Sequence, residues 1–553
     1  MQPEPNPLFV GVDVGTGSAR AGIFNSSGQL LGSARYPIQT WYLPGEIVEQ
    51  SSEDIWQACA AAIAQALRAA NVDAERVRGI GFDATCSLVA LDTNDTPVSV
   101  SPGGEDRRNV IVWMDHRANT EAAEINATGD PVLRYVGGQI SPEMETPKLL
   151  WLKRHLPESF TRAAHFFDLA DYLSFRASGS YARSLCTVTC KWTYVPHEGG
   201  WSRRYFERIG LEELLECNAA RIGSRIVAPG TALAQGLTAA AAAELGLPAG
   251  IAVGASLIDA HAGAIGTMGS PDAQGHPVAP TARIAYILGT SACVLASTVK
   301  PCFTPGVWGP YASAMIDGLW LNEGGQSAAG AAIDILVRSH PSYPEAAQIA
   351  AVEGIDVLRW LELRILARVA TPSHAACLAR QLHVLPDYLG NRSPHADPGA
   401  RAMLAGLTID HDLEGLEAMF VAGLCGLGYG LAEIVEALRA QGVRFDSVIM
   451  SGGASQSSLV RQLIADAAGV RVELPATTEP VLLGSAMLGA VAAGVYPDLP
   501  AAMAAMSGRG ACSRPTPPDI AAFHAAKRRI YARMQTLDRQ IREDMAASPC
   551  VLP

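Results

Sequence analysis

Lysine is scarce in this chain of 553 residues: only Lys148, Lys153, Lys191, Lys300 and Lys527 occur, and none follows a glycine. The P-loop needs a Gly-Lys-Ser/Thr step so that the lysine can reach the terminal phosphates, and that design is excluded. Charged residues make up 17% of the chain and the net charge is −12. No basic field would gather phosphates, so no nucleic-acid partner is expected. An anionic ligand must then be held by local donors or a metal ion. Cysteine is sparse and scattered, with eleven residues, an odd number; this suits reduced thiols in a cytosolic enzyme. The closest pair, Cys186 and Cys190 in "CTVTC", has no second pair near it and reads as small core residues rather than a zinc site. Long hydrophobic runs are missing too. The most apolar tract, Val481 to Tyr496, is short for a bilayer and reads as a buried helix. The stretch "MQPEPNPLF" has no basic region leading into an apolar one, so no signal peptide, no membrane partner and a cytoplasmic location are expected.

What is present is an alternation of strand-like and helix-like patterns, which points to an α/β architecture. The length allows two large domains. "LFVGVDVGTGSARAGIFN" is an apolar run, a Gly–Thr turn and a second apolar run. "ARIAYILGTSACVLAST" repeats this pattern after the polar, Gly/Pro-containing break "QGHPVAPT" (Gln274 to Thr281), as expected for two related halves. Late in the chain, "FDSVIMSGGASQSSLVRQLIADAAG" is strand, Gly-rich turn and helix. From Pro517 onward, Ile520, Phe523, Ile530, Met534, Leu537, Ile541 and Met545 recur at helical spacing and predict a long packing helix.

Two further phosphate-binding designs fail. The dinucleotide fingerprint needs a third glycine where Arg20 stands, and its loop should lead into a helix. The protein-kinase set needs His-Arg-Asp, whereas "MDHRAN" has alanine after Arg117. What remains is a hairpin turn whose N–H groups form a concave anion site. Asp13 beside that turn would repel phosphate unless a divalent cation lay between them, as Mg²⁺ does between carboxylates and phosphates. An aspartate capping a turn is the plain alternative.

"GVDVGTGSARAGIFN", "GTS", "SGGASQS" and "EPVLLGSAMLGA", in this order and spacing, resemble the FGGY carbohydrate kinases, from about Leu8 to Met545. Within that family, "GFDATCSLVALD", "VWMDHRA" and "SPEMETPKLLWLK" are similar to the ribulokinase branch, most of all its D-ribulokinase-like members; Glu145 stands where that branch often has Pro, Ser or Thr. The resemblance implies a two-domain fold of the actin, Hsp70 and hexokinase type (ribonuclease H-like) with a central cleft. It divides the chain into an N-terminal domain, 8–273, and a C-terminal domain, 281–546. It implies ATP and Mg²⁺ as cofactors and a small sugar as substrate, with a homodimer as the assembly to test. The expected reaction is transfer of the ATP γ-phosphate to the terminal hydroxyl of a ketopentose, D-ribulose first. L-Ribulose, D-xylulose and ribitol are the rivals, and a catalytically silent sugar- or nucleotide-sensing protein is the reading from another class.

By the same resemblance, Gly15, Thr16, Gly17, Ser18 and Arg20 grip the phosphates from one side and Gly289, Thr290 and Ser291 from the other, with Asp13 on the metal. Asp259 in "SLIDAHAG" is the expected base and touches substrate; a helix N-cap is its alternative. Neighbouring His261 is expected to pack or hydrogen-bond locally. Ala84, Thr85, Trp113, Asp115, Lys191 and Glu323 are the expected sugar site. Their plain readings are a core tryptophan beside a surface acid, a snorkelling lysine, and a glutamate capping a helix. Adenosine is expected against Gly452, Gly453, Ala454 and Ser457, with Gly325 and Gln326 (and Ala329) as a far wall or simply a buried helix start.

Overall fold

Each of the two Gly–Thr turns closes a hairpin, and each hairpin opens a sheet of the same connectivity. The computed structural model describes residues 7–409, 411–516 and 518–548. Strands β1 (Leu8–Val14) and β2 (Ser18–Asn25) pair antiparallel, from Leu8 opposite Asn25 to Val14 opposite Ala19. Strand β3 (Leu30–Pro37) continues on one side. On the other, β4 (Val77–Ala84) runs parallel to β1, followed by the short β5 (Ala252–Val253) and β6 (Leu257–Ile258).

The second sheet comprises β7 (Arg283–Leu288), β8 (Ala292–Thr298), β9 (Trp308–Ala312), β10 (Trp320–Gln326), β11 (Ser447–Ser451), β12 (Val472–Pro475) and β13 (Arg509–Ser513). Their spatial order is β9-β10-β8-β7-β11-β12-β13. The hairpin β7–β8 has an antiparallel neighbour, β10, on one side and a parallel one, β11, on the other. That is the β3-β2-β1-β4 pattern again, and the duplication suggested by the two turns is visible at the level of whole sheets. All seven residues of β1 are buried, as expected of a strand covered on both faces. Asp13 therefore reaches its position inside an apolar strand, at 2% exposure.

Six helices matter for the site: α1 (Leu185–Lys191), α2 (Asp259–Met268), α3 (Val357–Arg368), α4 (Leu413–Ala440), α5 (Pro480–Ala492) and α6 (Pro518–Ala546). Helix α5 is the tract Val481 to Tyr496 of the sequence, shortened by four residues, and Leu482 through Ala490 are buried. Although it follows β12 of the second sheet in the chain, it lies on β1 and β4 of the first. The approach is so close that a Cβ built on Gly11 would sit 1.9 Å from the Leu482 carbonyl oxygen, and one on Gly484 would sit 1.9 Å from that of Ala262 in α2. Backbone, unlike a flexible side chain, cannot swing aside. Gly11→Ala is expected to lower stability by about 1–3 kcal/mol, read as a shift of the urea midpoint at constant slope.

Helix α4 has an apolar window of mean hydropathy 1.7, long enough to cross a bilayer, but 89% of that window is buried within the fold. It is the central helix of the second core. The predicted C-terminal helix also forms, though Pro517, its expected start, lies outside the described residues. Ile520 and Met534 pack against the core, whereas Leu537, Ile541 and Met545 are 47%, 45% and 64% exposed. The stripe thus packs over its first half only; farther along, the helix meets the body through polar groups, with Asp538 buried and Arg542 paired with Asp397 at 2.5 Å.

Candidate active site

The two Gly–Thr turns face one another across a cavity of about 340 Å³. Gly15 and Thr16 come from the β1–β2 turn; Gly289, Thr290 and Ser291 come from the β7–β8 turn; Asp13, Arg20 and Asp259 line the space between. Each turn is closed by a backbone bond from its first glycine, across three residues in the first and two in the second. Gly15 N–H donates to the Ser18 carbonyl at 3.1 Å, and Gly289 N–H donates to that of Ser291 at 2.9 Å. The first turn is anchored through Thr16, whose carbonyl accepts from Gln50 Nε2 at 2.7 Å and whose hydroxyl accepts from Trp113 Nε1 at 2.9 Å. The second is anchored by Ala329 and Gly330, whose N–H groups donate to Thr290 and Gly289 at 2.9 Å each. Turns held this way present donors to an anion without rearranging.

Carboxylates gather beneath the first turn. Asp13 on β1 lies opposite Asp83 on β4 in the parallel register. Asp83 is wholly buried; its Oδ2 accepts from the Ser485 hydroxyl of α5, and its Oδ1 has no partner. Burial, with the charge of Asp13 beside it, holds the Asp83 carboxyl well above the usual range. Asp13 Oδ2 accepts from Arg20 Nε at 2.6 Å, and Arg20 Nη1 donates to Glu479 Oε2 at 3.0 Å. Asp259 is the first residue of α2, where Ile258 holds the cap position, and its Oδ1 accepts from Ala260 N–H at 2.7 Å. The N-cap alternative for Asp259 is therefore not what the fold builds. Burial, reinforced by the charge of Asp13, raises its carboxyl to about 6. Carboxylates repelling one another beside anion-binding turns, one of them with an orphaned buried oxygen, make a donor set that suits a hard divalent cation.

The other end of the cavity is polar and aromatic. Lys191, the last residue of α1, points inward: its Nζ is 3.5 Å from Glu323 Oε1 and 4.4 Å from the centre of the Trp308 ring. It is buried, not snorkelling. Burial works against its charge, but Glu323 more than restores it; against the burial of Glu323, Lys191 and then His261 lower that carboxyl to about 2. Arg392 lies over the same tryptophan at 5.4 Å and pairs with Glu143 Oε2 at 3.8 Å. Thr85, Cys86, Trp113 and Cys293 complete the walls. His261 sits behind them, fully buried, with Nδ1 2.9 Å from Cys186 Sγ and Nε2 3.5 Å from Glu323 Oε2. Local bonding was the expected role for this residue.

Several expected residues lie elsewhere. Asp115 is buried away from the cavity: it takes Arg117 through Nε and Nη2 and accepts from Val48 N–H at 2.6 Å. A carboxylate so fully satisfied has no free lone pair to offer a sugar. Ala84 is a core residue at the end of β4, and Thr85, one residue later, is the one that reaches the cavity. Gly17 faces solvent, and the Ser18 hydroxyl accepts from Arg35 Nε at 2.9 Å. Gly325 and Gln326 belong to β10 rather than to a helix start; Gln326 bonds Tyr286 and the Leu427 carbonyl. Neither lines this cavity or the larger one beyond the β7–β8 turn.

A second cavity, of about 550 Å³, opens beyond the β7–β8 turn. Gly453, Ala454 and Ser457 line it, as do Leu288 and Gly330 at the base of the turn and Phe420, Leu424 and Leu427 of α4. Gly452 does not; with φ near +97° it turns the chain where a Cβ would meet the Leu288 carbonyl. Ser457 caps the following helix and donates to Glu362 Oε1 of α3 at 2.6 Å. The turn Gly289–Ser291 thus stands between the smaller cavity and the larger one.

Asp83, Glu143, Trp308, Arg392, Glu479 and Glu362 were not singled out in the sequence. Asp83 carried a signal, a carboxylate at the end of a strand before a polar turn, the feature that drew attention to Asp13. The others come from places with no pattern of their own: Glu143 and Arg392 from loops, Glu479 from the cap of α5, Trp308 from the start of β9 and Glu362 from the middle of α3.

Duplicated hairpin sheets, paired turns and a shared cavity define a two-domain α/β phosphotransferase. The chain belongs to the FGGY family of carbohydrate kinases: residues 8–266 match the family's N-terminal domain and residues 284–493 its C-terminal domain. An FGGY carbohydrate kinase domain-containing protein of Homo sapiens is 45% identical over 513 residues, 91% of this chain and 92% of its own. A D-ribulokinase of Saccharomyces cerevisiae is 38% identical over 512 residues, 88% of this chain and 72% of its own. Among solved structures, a xylulose kinase from Rhodospirillum rubrum aligns with a TM-score of 0.77 at 21% identity, covering 97% of this chain and 99% of that one. The protein is an ATP-dependent sugar kinase.

Proposed function

We propose that the chain transfers the ATP γ-phosphate to the terminal hydroxyl of a ketopentose, D-ribulose first, with Asp259 as base. One observation carries this reading: Asp259 faces the two anchored Gly–Thr turns across a cavity whose far end is lined by Lys191, Glu323 and Trp308. The sugar hydroxyl is expected at Asp259, which takes its proton as the oxygen attacks phosphorus. Lys191 donates to sugar oxygens and Glu323 accepts from hydroxyls; the Trp308 and Trp113 rings give the carbon skeleton an apolar wall. The N–H groups of both turns hold the phosphates, and the adenosine lies in the larger cavity against Gly453, Ala454 and Ser457. Asp13, with Asp259 near it, would hold Mg²⁺, whose part is to neutralise phosphate charge. Until nucleotide arrives, Arg20 supplies positive charge at Asp13.

The named D-ribulokinase relative supports D-ribulose as the first substrate to try. The ten described cysteines are free thiols, in keeping with a cytoplasmic enzyme. The test is ADP release across D-ribulose, L-ribulose, D-xylulose and ribitol, with one arm lacking Mg²⁺. D-Ribulose is expected to have the highest kcat/KM, and activity is expected to vanish without the metal. A higher kcat/KM for ribitol would overturn the ketopentose assignment, because the carbonyl would then contribute nothing to recognition.

A further inference from the structure

The fold gives Cys186 and Cys190 a third partner that lies 71 residues or more away in the chain. One turn apart on α1, their thiols share a face, and that face meets His261 on α2. All three side chains are fully buried, and their ligand atoms lie within 4.8 Å of one another. We propose that Cys186, Cys190 and His261 form a binding site for one thiophilic metal ion, Zn²⁺ or Cu⁺, which ties α1 to α2 beneath the sugar cavity.

Two observations support it. First, two sulfurs and an imidazole nitrogen form a soft donor set that selects Zn²⁺ or Cu⁺ over Mg²⁺. With bonds of about 2.0–2.3 Å, tetrahedral donors stand about 3.5 Å apart or a little more, so Cys186 Sγ and His261 Nδ1, 2.9 Å from each other, would open to admit the ion. Second, the outer shell is in place. A ligating histidine ordinarily gives its other ring N–H to a carboxylate, and His261 Nε2 faces Glu323 Oε2 at 3.5 Å. Both atoms are buried without a hydrogen-bond partner. A metal on Nδ1 would leave the ring proton on Nε2, directed at that oxygen. On binding, each thiol releases its proton to solvent and both sulfurs become ligands.

The consequence is mechanical. Helix α1 ends in Lys191 and α2 begins with Asp259, so a metal between them would clamp together the two helices that carry the proposed sugar donor and base. The plain alternative is a buried thiol–imidazole contact that packs and takes no ion.

The test uses the full chain with the exposed Cys217, Cys377 and Cys512, and also Cys550, replaced by serine. Cobalt(II) titration is expected to produce thiolate-to-cobalt charge-transfer absorption that saturates at one equivalent and is displaced by Zn²⁺. In a separate anaerobic arm, Cu⁺ is delivered against a competing chelator, and the tighter of the two names the ion. Bound metal is expected to raise Tm by several degrees, since it binds the folded state alone. Cys190→Ser, and independently His261→Gln, should abolish both signals. Absence of saturable binding by Co²⁺, Zn²⁺ and Cu⁺ in the parent protein overturns the proposal whether or not the variants fold. So does a charge-transfer band that survives either substitution.

Discussion

Asp259→Asn is expected to lower turnover about 10²- to 10⁴-fold, the range that positioned proton transfer contributes, while nucleotide affinity stays near its parent value. Asparagine keeps the size of the side chain and can still accept the Ala260 N–H, so α2 should begin at the same residue. What it loses is the ability to take a proton from the sugar hydroxyl. The Gly453–Ser457 cavity, proposed for adenosine, does not include Asp259. Equilibrium binding of ATP and single-turnover phosphate transfer, measured on the same variant, separate the two effects. Turnover within threefold of the parent would remove Asp259 from the role of base.

The same residue predicts a pH profile. Its carboxyl sits at about 6, raised by burial and then by Asp13. The base is the ionised form, so kcat/KM is expected to fall as pH drops through 6 and to level off above 7. Neutralising Asp13 removes one of the charges that raise Asp259; Asp13→Asn is therefore expected to move the acid limb to lower pH as well as reduce the rate.

Asp115→Ala is expected to destabilise the fold by about 3–5 kcal/mol, the cost of removing one member of a buried ion pair. Asp115, Arg117 and Glu49 are buried together: Arg117 Nη2 donates to Glu49 Oε1 at 3.0 Å and to Asp115 Oδ2 at 2.7 Å, and Arg117 lies over the Trp151 ring at 4.9 Å. Without Asp115, the guanidinium keeps one carboxylate and the Val48 N–H loses its acceptor. A desolvated charge left half-paired is the expensive outcome. Urea unfolding measures the loss. If Asp115 instead served the sugar, the variant would show near-parent stability and a raised KM for sugar alone. The two results are separable on one preparation.

The hairpins were legible because their signal is local: an apolar run, a Gly–Thr turn and an apolar run need no distant partner to be read. Thr16, Thr290 and Ser291 follow from the same short patterns, and Asp13 and Asp259 stand out as carboxylates at the ends of apolar segments. The buried helix α5 was legible from composition, but its place on β1 and β4 was not. That docking depends on glycines such as Gly11 and Gly484 meeting backbone oxygens across hundreds of residues. Asp115 misled for a related reason. A tryptophan followed two residues later by aspartate describes a sugar site equally well as a core arginine's counter-ion, and only the position of Arg117 and Glu49 separates the two.

The sequence by itself determined the family and the two hairpins and marked the carboxylates proposed for metal and base, since each rests on residues close together in the chain. Tertiary structure decided which of the candidates face one cavity. It brought in Trp308, Arg392 and Glu143, turned Asp115 and Gln326 into structural residues, and set His261 against two thiols. Most of these choices arise from groups far apart in the chain, such as Arg392 and Glu143, where burial and charge pairing act through space and leave no periodic trace in the sequence.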